Sequence, residues 1–223
     1  MKRSKTKIAV IIPAYNEESG IAEVVRAAKT SDLVDEVIVV SDGSDDNTVK
    51  NAKEAGASKV FALRKNIGKG LAMIYGVEHT KADIILFLDA DVYGLTASHI
   101  KRLVQPVLRG DEVMNVGIRD RGRIISALGS YLPLIGGERA LERYIIERIP
   151  KKYLRGFKIE TAFNYYCRSR NLPYGCVFLK DVNIKKKMEK VGFFLGLWQY
   201  IKMTFEIINA MIAVRLARMR KIF

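Results

Sequence analysis

From Lys7 to Val116, short apolar runs rich in β-branched residues alternate with longer stretches in which apolar positions recur at helical spacing. The short runs, Ile8–Ile12, Glu36–Val40, Lys59–Ala62, Ile84–Leu88 and Glu112–Val116, read as strands. The stretches between them, Ser19–Thr30, Asp46–Ala55, Lys69–His79 and Ala97–Arg109, read as helices. Such a series closes through right-handed crossovers, so the pattern predicts an α/β fold with a mostly parallel sheet flanked by helices.

After Gly117 the rhythm breaks. Arg119-Asp120-Arg121-Gly122-Arg123 reads as an exposed loop, followed by apolar and glycine-rich chain through Gly136-Gly137 and an amphipathic stretch, Glu138–Arg148. A helix around Ile159–Arg170 and a strand-like Tyr174–Leu179 come next. There is no internal repeat and no low-complexity linker. The expected division is residues 1–118 as the first α/β half, 119–184 as the second half of the same domain, and 185–223 as an amphipathic helical extension.

Within this frame the most informative run is Ile84-Ile85-Leu86-Phe87-Leu88-Asp89-Ala90-Asp91. A buried strand here delivers two carboxylates, Asp89 and Asp91, to its C-terminal edge, where open parallel sheets bind ligands. Paired carboxylates at such an edge suit a hard cation. Mg²⁺ or Mn²⁺ prefers oxygen ligands, retains several waters and commonly shares a substrate diphosphate with one or two carboxylates. Acidic pairs also end strands as solvated turns, so the neighbouring loops decide between the readings.

Three of those loops add polar groups at successive strand ends. Pro13-Ala14-Tyr15-Asn16-Glu17-Glu18 leads into a helix whose first turn favours acidic residues, and Tyr15 offers a flat face while Glu17 can accept from a ribose hydroxyl. In Ser41-Asp42-Gly43-Ser44-Asp45-Asp46-Asn47-Thr48, Asp42 is placed to accept from a base edge or ribose, and Asp45 or Asp46 to cap the following helix. Arg64-Lys65-Asn66-Ile67-Gly68-Lys69-Gly70 joins glycines and cations before a helix, a phosphate-friendly setting without the Walker pattern.

Taken in order, Pro-x-Tyr-Asn-Glu, Ser-Asp-Gly-Ser-x-Asp-x-Thr, Asn-x-Gly-Lys-Gly and Leu-Asp-Ala-Asp resemble the family 2 glycosyltransferases with the GT-A fold, a family that includes the polyprenyl-phosphate sugar transferases of the dolichyl-phosphate mannose synthase kind. The likeness covers about the first half of the chain. It implies a Rossmann-like nucleotide-sugar-binding half and a nucleoside-diphosphate sugar donor, UDP- or GDP-linked, with an inverting outcome. Pro13, Tyr15, Glu17 and Asp42 would then hold the nucleoside, Lys69 would lie near it, and Asp89 and Asp91 would sit at the metal and diphosphate. In the family, an acidic residue at a later helix start acts as base or positioning group, and Glu160 in Gly156-Phe157-Lys158-Ile159-Glu160-Thr161 fits that context. Its ordinary alternative is a carboxylate complementing the helix dipole. Gly136-Gly137-Glu138-Arg139-Ala140 resembles an acceptor loop, with Arg139 either clamping an acceptor phosphate or forming a helix-surface pair with Glu138. A late metal ligand, often histidine in relatives, corresponds to Asn183 here, a departure from the pattern. His79 and His99 lie on predicted helices with no evident role.

Composition changes the picture through charge. The 223 residues include 38 Lys and Arg against 24 Asp and Glu, a net charge of +14, so the chain should seek a polyanion. The two cysteines, Cys167 and Cys176, form no metal motif and read as free thiols of a reducing compartment. The apolar stretch after Met1–Lys7 is too short for a secretory signal core and runs into Pro13, which gives the expectation of a cytoplasmic protein.

Much of the charge gathers beside a greasy C-terminal segment. From Phe193 to Val214 the polar residues are few, and at helical spacing Gln199, Lys202, Glu206 and Asn209 fall in one wedge of about 80°. Lys202 and Glu206 argue against a free-standing transmembrane span. Lys185, Lys186, Lys187 and Lys190 precede the segment and Arg215, Arg218, Arg220 and Lys221 follow it, which fits a peripheral helix on the anionic inner face of the cell membrane. The alternative is a helix packed on its own domain or on a second subunit, forming a homodimer.

The leading expectation is a metal-dependent hexosyltransferase acting on a lipid phosphate such as polyprenyl phosphate. A soluble transferase with a small phosphorylated acceptor is the alternative. A nucleic-acid-binding module is disfavoured, because the sheet edge is acidic and the basic charge adjoins an apolar helix. A sugar nucleotidyltransferase would carry a glycine-rich loop directly after the first strand, where this chain has Pro13-Ala14-Tyr15-Asn16-Glu17.

Overall fold

A computed structural model of the protein describes residues 5–119, 136–150, 153 and 158–184. The apolar runs form strands β1 (Ile8–Ala14), β2 (Glu36–Ser41), β3 (Lys59–Ala62), β4 (Ile84–Phe87) and β6 (Met114–Arg119). Between them lie helices α1 (Ile21–Lys29), α2 (Thr48–Glu54), α3 (Lys69–Glu78) and α4 (Ala97–Arg109), with a two-residue strand β5 (Val92–Tyr93) ahead of α4. The later chain supplies β7 (Arg139–Glu142), α5 (Arg143–Arg148), α6 (Lys158–Ser169), β8 (Tyr174–Leu179) and β9 (Asn183–Ile184).

Seven strands make one sheet in the order β3-β2-β1-β4-β7-β6-β8. The pairs β1–β2, β1–β4, β2–β3 and β6–β8 are parallel, and only β7 runs antiparallel to its neighbours, so the sheet is mixed but mostly parallel. Both expected halves of the domain share this sheet. Alternate residues of β1 explain why its sequence is apolar throughout. Ile8, Val10 and Ile12 pack with α1 and α4, whereas Ala9 and Ile11 pack with α3, α5 and α6. A strand buried on both faces has no polar side, and each fully buried isoleucine contributes about 1.5–3 kcal/mol.

The helix ends follow local chemistry. Thr96 caps α4 by accepting from the His99 backbone, while the His99 ring accepts from the Thr96 N–H, so His99 has a structural place. Gly110 closes the same helix at φ 79°, a left-handed position that favours glycine. His79, at the end of α3, stacks on Tyr75 at 4.3 Å.

The second half corrects two expectations. The amphipathic stretch Glu138–Arg148 divides into β7 and α5, with β7 inserted between β4 and β6. Charges at both ends of Arg139-Ala140-Leu141-Glu142 conceal a strand whose Arg139 is fully buried, because that arginine finds its partners inside the protein. Arg119, expected in an exposed loop, is the last residue of β6 and keeps only 9% of its side chain exposed. The expected C-terminal amphipathic helix and its basic flanks lie outside the described residues. Among the described residues, no helix is long and apolar enough to cross a membrane.

Candidate functional site

The C-terminal ends of β1, β2 and β4 open onto one cleft of about 320 Å³, lined by Pro13, Tyr15, Glu17, Asp42, Lys69, Asp89 and Asp91 together with Ala14, Asn66 and Ala90. Seven residues singled out in the sequence therefore meet. Tyr15 is 49% exposed and lines this opening.

The loops are laced to each other through backbone groups. Asn16 turns the chain at φ 53°, a left-handed conformation that asparagine tolerates. Its N–H donates to Ser44 Oγ at 3.1 Å and its side-chain oxygen accepts from the Asp45 N–H at 3.0 Å. The Glu17 N–H donates to Thr48 Oγ1 at 2.8 Å, and Asp46 rather than Asp45 accepts from the Thr48 N–H at 3.0 Å. Asp42, 3% exposed, accepts from the N–H groups of Ile67 and Gly68 at 2.7 and 2.8 Å. It anchors the loop that carries Lys69.

That lysine occupies the centre of the charge arrangement. Its Nζ lies 2.8 Å from Asp89 Oδ1 and 3.0 Å from Glu160 Oε1, the latter delivered by the first turn of α6. Burial opposes the Lys69 charge, but Asp89 and Glu160 outweigh it and hold the ammonium well above its ordinary pKa. Burial likewise pushes the Asp89 carboxyl up, and Lys69, Arg119 and Arg139 more than reverse this, holding it low. Asp91 goes the other way. Burial first, then the charges of Asp89 and Glu17, raise it above the usual carboxylate range.

Behind this cluster, Arg139 is 0% exposed and donates to the Gly136 carbonyl at 2.7 Å and to the Glu160 carbonyl at 3.2 Å, with its guanidinium 3.9 Å from Glu160 Oε2. Its cation also lies over the Phe163 ring at 5.7 Å. The expected surface Glu138–Arg139 pair is thus overturned, since both side chains are sealed from solvent. Gly137 presses on the site so closely that an added Cβ would overlap the Asp89 carboxylate. Asn183 is exposed, pairs across from Tyr93 in the small β5–β9 ladder, and is not among the residues lining the cleft.

Sequence reasoning missed Arg119 as a member of this cluster and passed over Glu138, which burial pushes up to about 7 with help from the Asp89 charge and against the pull of Arg119. The one available signal was Glu138 lying beside two glycines in Gly136-Gly137-Glu138-Arg139. Asn66 was visible only as part of its loop motif.

The donor set fits a divalent cation. Among the described residues no group of three or more His, Cys, Asp or Glu is arranged to hold a metal. Asp89 and Asp91 are the two carboxylates of the cleft that would hold a metal, with other oxygens drawn from substrate or water. Burial and, after it, the neighbouring Asp89 and Glu17 charges disfavour the ionised Asp91 carboxylate, and a cation bound there would offset both.

Comparison with known proteins agrees with this geometry. The model of the family "Glycosyl transferase family 2" matches residues 9–169. An undecaprenyl-phosphate 4-deoxy-4-formamido-L-arabinose transferase from Klebsiella pneumoniae is 29% identical over 189 residues, covering 73% of this chain and 57% of that protein. Glucosyl-3-phosphoglycerate synthase from Mycolicibacterium paratuberculosis is 30% identical over 192 residues, covering 70% of this chain and 58% of that protein. The chain thus spans little more than half the length of these two relatives. Glucosyl-3-phosphoglycerate synthase from Mycobacterium tuberculosis, crystallised with Mn²⁺, UDP-glucose and phosphoglyceric acid, superposes with a TM-score of 0.71 at 26% identity, covering 84% of this chain and 75% of that one. With the family model matching well over half of the residues and the GT-A architecture shared, this chain belongs to glycosyl transferase family 2.

Proposed function

We propose that the protein transfers a sugar from a nucleoside-diphosphate donor to a phosphate-bearing acceptor, a polyprenyl phosphate at the cytosolic membrane face being the leading candidate. The observation that carries this reading is the convergence of Asp89 and Asp91 with Tyr15, Glu17, Asp42 and Lys69 on one cleft at the sheet edge. Tyr15 offers a stacking face for the base, and Pro13, Glu17 and Asp42 form the wall around the nucleoside. Mg²⁺ or Mn²⁺ held by Asp89 and Asp91 would act as a Lewis acid, stabilising the charge that develops on the departing diphosphate. The similar glucosyl-3-phosphoglycerate synthase, crystallised with Mn²⁺ and UDP-glucose, supports a divalent metal and a nucleotide-sugar donor.

Glu160 serves as base or orienting group toward the acceptor. Lys69 keeps its carboxylate facing the metal pair, and Arg139 fixes the start of α6 from behind. Arg139 acts by position, since its sealed guanidinium offers no surface to an acceptor. An ionised phosphate acceptor demands little base strength, which suits a carboxylate already paired with lysine.

The basic flanks of residues 185–223 support a lipid acceptor, whereas the likeness to a phosphoglycerate glucosyltransferase favours a small soluble one. A donor and acceptor panel separates them: release of UDP or GDP with Mn²⁺, with polyprenyl phosphate in anionic vesicles or with 3-phosphoglycerate in solution. Stimulation by the vesicle-borne lipid alone, lost when Lys185, Lys186, Lys187 and Lys190 are changed to Glu, is the expected result. Stimulation by the soluble phosphate alone would replace this acceptor with the small one.

A further inference from the structure

We infer that Glu138 is a positioning residue that holds the Arg119 guanidinium beside the Asp89–Asp91 pair as the receptor for a phosphate-type oxyanion of the substrate. The inference rests on reading the cleft as a nucleotide-sugar site. Glu138 is 0% exposed and the Arg119 side chain 9%, and Arg119 Nε lies 3.4 Å from Glu138 Oε2. Both Glu138 carboxylate oxygens and Arg119 Nη1 lack a hydrogen-bond partner among the described residues. Buried charges left so poorly satisfied are a weak source of stability, which points to a use for them.

Their placement supplies that use. Arg119 ends β6, and two residues earlier the Gly117 N–H donates to the Glu138 carbonyl at 2.7 Å. A Cβ on Gly117 would meet Leu179 Cδ1 at 2.6 Å and Glu138 Cβ at 3.1 Å, so glycine keeps β6 close to both neighbours. One residue before Glu138, Gly137 lies against Asp89. The pair is thereby fixed between adjacent strands next to the metal carboxylates, and the charge of Arg119 is felt by both Asp89 and Asp91. With a carboxylate at Nε, the buried Nη1 of the planar guanidinium, unpartnered among the described residues, is the donor left for an oxyanion.

That oxyanion belongs either to the donor diphosphate or to the acceptor phosphate, and calorimetric titration distinguishes them. The full chain with Mn²⁺ is titrated with UDP or GDP in one arm and inorganic phosphate in the other, for wild type, Arg119→Met, Glu138→Gln and the double variant. Arg119→Met should weaken one probe about 10- to 100-fold, the range of a hydrogen bond to a charged group. Glu138→Gln should weaken the same probe to a smaller degree without lowering the melting temperature, and should have no further effect when Met already replaces Arg119. Loss in the nucleotide arm assigns the oxyanion to the donor, and loss in the phosphate arm assigns it to the acceptor. Independent, additive effects would overturn the inference, as would unchanged affinity in Arg119→Met or a destabilised Glu138→Gln that binds normally. Wild type that binds neither nucleotide nor phosphate would instead overturn the glycosyltransferase reading, and this inference with it.

Discussion

Lys69 shows how much of the site depends on one side chain: a single ammonium neutralises Asp89, the proposed metal carboxylate just after β4, and Glu160, the candidate base on α6. Lys69→Met leaves Asp89 and Glu160 facing each other without their shared cation. Donor turnover should fall by about 10²- to 10³-fold, the scale of losing one preorganised donor, and Lys69→Arg should not restore it because a planar fork does not replace a point charge. Steady-state rates on both variants check this. Glu138 gives a second prediction, for stability. Its folded carboxyl keeps a proton up to about 7, whereas the ordinary value is 4.5. Between those values the folded state binds more protons than the unfolded one, so stability declines as pH rises through the window and levels off above it. In chelator, Glu138→Gln should remove this decline and melt higher than wild type above pH 7 by scanning calorimetry.

At the scale of elements, the first half of the fold was legible because its inner strands β1, β2 and β4 are apolar on both faces. Ile8–Ile12 and Ile84–Leu88 lie in β1 and β4 or within a residue of them. β7 was not legible. Its two apolar residues sit between charges, and what makes it a strand is tertiary: Arg139 is satisfied by the Gly136 carbonyl three residues away and, from another element, by the Glu160 carbonyl at the start of α6. The same reason hid the Arg119–Glu138 pair, while the cleft itself was read from the ordered loop motifs. The close approach of α1 to the Asp89–Asp91 loop is also tertiary, since a Cβ on Gly20 would come 2.6 Å from the Ala90 carbonyl oxygen. Gly20→Ala must therefore move backbone between the two carboxylates. It should lower Mn²⁺ affinity and turnover while far-ultraviolet circular dichroism stays native, and normal metal titration in this variant would sink the point.

Over the whole molecule, charge is sorted by purpose. The chain carries +14, yet the cleft gathers Glu17, Asp42, Asp89 and Asp91 around Lys69. A dinucleotide or nucleic-acid backbone would be repelled from such an acidic edge, but a diphosphate arriving with a divalent cation would not. Metal-dependent nucleotide binding is therefore the property to measure, most directly by a calorimetric titration with UDP and GDP, each with Mn²⁺ and with chelator, on wild type and on the Asp89→Ala, Asp91→Ala double variant. Saturable binding of one nucleotide that needs Mn²⁺ and disappears in the double variant is the predicted result. Equal binding with and without metal, or in the double variant, would contradict the assignment of these carboxylates, and no binding of either nucleotide would contradict the function.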